Sequence, residues 1–141
     1  MASTAPLLIE GKSHPGELRP TRGCDATSES FEKIEDALAK TREWIGAEET
    51  DHTWTGPLYQ TANRFAYLYF LRTCLGIKAW LAHRLFVSDP THPPTRATTE
   101  EQWEVILDST SVELGLPPTV EHYSHLYLPG LPRPSTPSVT E

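Results

Sequence analysis

The chain has 141 residues, about the length of one domain, with 38% hydrophobic residues and a formal net charge of −7. That length buries a real core, and that charge excludes a protein that grips nucleic acid by bulk electrostatics. The longest strongly apolar stretch, Phe65 to Leu71, is too short to cross a bilayer, the start carries no export signal, and Cys24 and Cys74 have no metal or redox spacing. A cytoplasmic protein with reduced thiols and no membrane partner is expected.

Residues 1–6 read as a disordered start. Leu7-Leu8-Ile9 is an apolar run between Pro6 and Pro15, which predicts a strand of about eight residues. The loop 15–27 has no periodicity. Thr27 or Ser28 can then cap a helix through Gly46, with Phe31, Ile34, Leu38 and Ile45 at helical spacing. Glu29 with Lys33 and Asp36 with Lys40 supply acid-before-base pairs on its outer face.

Gly56-Pro57 opens a second helix that runs to Gly76 and is apolar around most of its circumference, so it is expected to be central. One stripe differs: Gln60, Asn63, Arg64 and Tyr67 follow the i, i+3, i+4, i+7 rule and share a face. Ile77 to Val87 is apolar on both alternating sets, which predicts a strand buried on both faces. After a proline-rich turn at 90–97, Thr98 with Glu101 makes a capping box for a helix through Leu114, closed by Gly115 and Pro117. Six prolines in residues 117–141 predict a poorly ordered tail.

The order is strand, helix, helix, strand, helix, tail. Two strands cannot make a well-covered sheet, so an α/β fold with strands missing or borrowed is expected. An exposed strand edge of this kind invites self-association.

Charge is unevenly distributed. Residues 24–55 carry nine acids and three bases, residues 88–141 eight acids and two bases, and residues 56–87 Arg64, Arg72, Lys78 and Arg84 with no acid. A basic centre between acidic flanks suits a phosphate-facing site and equally suits acidic helices docked on a basic core. On the first strand Glu10 and Lys12 lie two apart and so share a face. Such a pair can hold a hard cation and orient its water, or be a simple ion pair at a strand end. His122 and His125 lack a third ligand spacing, and Ser13-His14 has no partners for a nucleophilic triad. Trp44, Tyr69, Trp80 and Trp103 fall on apolar faces and are expected in the core.

Leu8 to His14, Ser30 to Trp44, Tyr59 to Arg72, and Ala79 to Pro90 together resemble the second half of a bacterial branch of the PD-(D/E)xK nuclease-like superfamily. The most specific piece is the block from Tyr59-Gln60 to Asn63-Arg64. The resemblance spans residues 7–116 and implies a partial restriction-endonuclease-like α/β core acting on DNA with Mg²⁺. It implies that Glu10 is a metal ligand, that Lys12 is the motif lysine, and that Gln60, Asn63, Arg64 and Tyr67 line the substrate side. Glu17 is a further candidate metal ligand, with Asp25 as another acid that could have migrated to the site. The family's first metal-binding aspartate lies on an earlier strand, whereas no acid precedes Glu10 here. The expectation is therefore an N-terminally truncated nuclease-like chain, inactive alone. The alternative is a non-catalytic interaction protein that uses a sheet edge or its acidic surface.

Overall fold

The computed structural model describes residues 4–19, 22–91 and 97–131. Three parallel strands, β1 (Leu7–Lys12), β2 (Trp80–Val87) and β3 (Tyr123–Pro129), form an open sheet in the order β1-β2-β3. Helices α1 (Ser28–Ile45) and α2 (Tyr59–Tyr69) lie in the first crossover and α3 (Glu100–Leu114) in the second. A π-helical turn, Phe70–Cys74, continues α2. No helix among the described residues is long and apolar enough to cross a membrane.

Alternation along the strands decides what the sheet presents on each side. Leu8, Leu81, Leu85 and Tyr127 face the helices. There Phe65 and Leu68 of α2 pack with Ala79, Leu81 and Val120, and Trp103 of α3 packs with Leu18 and Leu85. Helix α1 forms an outer layer, where Leu38 meets Trp54, Leu58, Ala62 and Leu114. Both crossovers lie on this one face, as two crossovers of the same hand moving in one direction across a sheet must. Leu7, Ile9, Trp80 and Leu126 alternate to the other face and stay about half exposed.

Helix ends follow from their residues. Gly46 and Gly115 close α1 and α3 in the left-handed conformation, and a side chain at Gly115 would also run into the carbonyl of Glu48. The capping box of α3 uses Thr99 and Gln102. The expected Thr98–Glu101 pair is one residue too early, because buried Thr98 instead accepts the Ser88 N–H through its carbonyl.

Two further expectations are corrected. The segment read as a poorly ordered tail contributes β3. Its prolines flank the run Tyr123 to Leu128 and do not interrupt it, and Pro129 stands at the end of an edge strand, where a missing N–H is tolerated. The order is thus strand, helix, helix, strand, helix, strand; residues 132–141 and 1–3 lie outside the described residues. Among the described residues strand β2 is covered on one face only, and Trp80, half exposed on the other, is not a core residue. Trp103 is, and Trp44 and Tyr69 meet edge to face at 5.7 Å.

Candidate functional site

On the helix side of the sheet, the apolar rows of β1 and β2 are interrupted by three polar side chains. Strand alternation points Glu10 and Lys12 inward together, and His83 is the cross-strand neighbour of Glu10. Helical periodicity brings Gln60 and Arg64 of α2 over them, as the four-residue spacing requires. The Glu10 carboxylate meets Lys12 Nζ at 3.1 Å through Oε1 and Arg64 Nε at 3.1 Å through Oε2. Lys12 also donates to Gln60 Oε1 at 3.5 Å. The expected acid–lysine pair therefore meets two of the four residues of the expected α2 stripe, Gln60 and Arg64.

His83 is buried, with Nε2 3.5 Å from Glu10 Oε2 and no closer hydrogen-bond partner. The Tyr123 hydroxyl lies 3.0 Å from Nδ1. Burial pushes the Tyr123 hydroxyl well above its ordinary pKa. The Glu10 carboxylate can only accept, so the neutral ring form that suits both neighbours carries its proton on Nε2, with Nδ1 accepting from the Tyr123 hydroxyl. Sequence reading passed over both residues. The signal for His83 was available: it is the polar member of the inward set Leu81, His83, Leu85.

Burial alone would raise the Glu10 pKa. Hydrogen bonds from His83 and Lys12 and the charges of Lys12 and Arg64 outweigh it and hold the group at about 2, against an ordinary 4.5. Because the folded-state value is depressed, this contribution to stability is complete above pH ~4.5 and lost as pH falls toward 2. Melting curves of the wild type and Glu10→Gln should therefore differ most near neutral pH and draw together through that window. A constant gap would show that Glu10 is not ionised in the pairing described.

The other candidates are placed as follows. Asn63 is half-buried and Tyr67 exposed on the same side of α2. Glu17 accepts from the backbone N–H groups of Ser13 and His14 at 2.6 and 2.9 Å, fastening the turn after β1. Burial opposes the ionisation of Glu17, and these bonds win, lowering its pKa. Asp25 is exposed. His122 packs edge-on against Trp80 and His125 against Tyr127. Of the basic centre, only Arg64 reaches the site: Arg72 donates to the Ala79 carbonyl at 2.7 Å, and Arg84 lies over Phe86 on the opposite face.

The resemblance implies Mg²⁺, which would have to displace Lys12 or Arg64 to reach the Glu10 carboxylate. Both oxygens of Glu10 meet cations, and among the described residues no three His, Cys, Asp or Glu side chains converge. Compared with known proteins, the chain matches no family model, no curated protein and no solved structure.

Proposed function

We propose that the chain is a nuclease-like module that holds the phosphodiester backbone of DNA at Arg64 and the adjoining face of α2, with buried Lys12 behind them, without cleaving it. The observation that carries this reading is the charge balance of the site: one carboxylate faces two cations, with His83 Nε2–H as a further donor. Arg64 meets Glu10 through Nε, and its side chain is 41% exposed, so the guanidinium can take phosphate oxygens without leaving the carboxylate. Gln60, Asn63 and Tyr67 supply neutral contacts beside it. Cleavage needs a water made nucleophilic. A carboxylate held at about 2 is too weak a base for that, and among the described residues no three metal-ligating side chains come together.

Fluorescence anisotropy with labelled duplex and single-stranded DNA tests the binding. A slope of about −1 in log affinity against log salt is expected for one phosphate contact at Arg64, together with roughly tenfold weakening in Arg64→Ala. Binding indifferent to salt would remove the reading. Incubation with plasmid and linear DNA in Mg²⁺ or Mn²⁺ should leave the DNA intact; cutting by the wild type that disappears in Lys12→Ala would make the site catalytic. A second reading, an interaction protein without nucleic acid, is favoured by the open outer edges of β1 and β3.

A further inference from the structure

The face of the sheet turned away from the helices is apolar and uncovered by the described residues. Leu7 (54% exposed), Ile9 (52%), Trp80 (49%) and Leu126 (51%) stand on it, with Phe86 and Leu128 half-buried beside them. All-parallel sheets are ordinarily covered on both faces. We propose that a second copy of this chain covers this one, the two sheets packing face to face about a two-fold axis in the interface plane, perpendicular to the strands.

Shape supports that occupant. Such an axis sets β2 antiparallel to its counterpart, so residues near the start of one β2 lie over the end of the other. Trp80 protrudes at the start. At the end is a cavity of about 560 Å³, lined by Arg84, Phe86, Leu128, Pro129 and Leu131 among others. With the axis passing level with residue 83, midway between them, each Trp80 reaches the partner's cavity, a reciprocal contact of the kind a two-fold interface makes. The middle of the face is low: Ala82 and Gly11 are small, which lets the two sheets approach to the usual ~10 Å.

Area and charge agree with it. The six apolar side chains form one contiguous patch, in the size class of the largest patch on a typical monomer, which is often a binding surface. A standard interface takes about 800 Å² from each partner, a little over half of it apolar. Arg84 is the one charged side chain on this face of the strands. It leans over Phe86, its guanidinium carbon 5.5 Å from the ring, so the two copies' cations are carried to opposite ends of the interface. An entering Trp80 would meet that guanidinium as an aromatic partner. The acidic outer faces of α1 and α3 lie behind the sheets, where the like net charges of two copies repel least.

Sedimentation velocity on the full chain over two decades of concentration reads the proposal. A reversible dimer is expected, weakened on the order of 30-fold or more by Trp80→Glu and by Ile9→Lys, in line with the loss of a central anchor. Both variants leave Glu10, Lys12 and Arg64 in place, so DNA binding by the monomer is expected to persist. Circular dichroism checks that each variant is folded. Should neither fold, diluting the wild type must shift its tryptophan emission to the red as Trp80 is exposed, and an unchanged spectrum overturns the proposal. A monomer at every concentration overturns it and leaves the face to another protein. A dimer that survives both substitutions also overturns it, pointing to pairing along a strand edge.

Discussion

Replacing Trp103 with alanine is expected to cost about 4 kcal/mol, the largest effect of any single truncation in this fold. The indole is fully buried between α3 and the sheet, against Leu18 and Leu85, and its Nε1–H donates to the Phe86 carbonyl at 3.0 Å. Alanine removes the contacts that seat α3 and also leaves that carbonyl without its side-chain donor. Domains of this size have stabilities of about 5–15 kcal/mol, so the variant loses a large share of its margin. A fall in melting temperature of about 10–15 °C follows. Val105→Ala on the outer side of the same helix, where the side chain is 69% exposed, is the control and should change stability by less than about 0.5 kcal/mol. Urea melts of the two variants measure the difference; a loss below 1 kcal/mol in Trp103→Ala would mean that α3 is not docked through this residue.

Glu10→Gln is expected to cost about 3 kcal/mol at neutral pH, and Glu10→Gln with Lys12→Met to recover about 2 of it. The amine of Lys12 is buried and relies chiefly on Glu10 at 3.1 Å, because the hydrogen bond to Gln60, at 3.5 Å, is long and goes to a neutral group. Removing only the carboxylate strands that cation in a dry place. Removing the cation as well replaces a costly charge with a chain of similar shape. Arg64 plays little part in the penalty, since its partly exposed side chain can turn to water. Chemical denaturation of the two single variants and the double completes the cycle. Additive losses would show that Glu10 and Lys12 do not depend on each other.

That Glu10 and Lys12 share one face, and Gln60 and Arg64 another, was legible from two periodicities, two along a strand and 3.6 along a helix; that the two faces meet was implied by the resemblance. Those repeats are set by backbone geometry and need no knowledge of the partners. Strand β3 was not legible, because counting prolines over residues 117–141 hid where they stand relative to the run from Tyr123 to Leu128. His83 was missed for a related reason. Reading β2 as buried on both faces made every inward position look alike, although only one face has helices over it. The cluster of basic residues in 56–87 misled in the other direction: sequence proximity brought Arg64, Arg72 and Arg84 to three unrelated environments, since a helix, its end and a strand point their side chains differently.

The chain Tyr123–His83–Glu10 crosses the sheet from β3 through β2 to β1, and this gives it a role apart from any ligand. A strand with mostly apolar neighbours can slide along its partner at little cost unless something marks the correct alignment. Here a one-residue slip of β1 would turn Glu10 and Lys12 to the outer face and bring Ile9 and Gly11 in, leaving His83 Nε2 and Arg64 without the carboxylate. A two-residue slip would keep the face but set Glu10 beside Leu81 or Leu85, burying a charge against hydrocarbon. Three side chains, one from each strand, therefore act as an alignment key: they penalise every neighbouring way of assembling the same three strands.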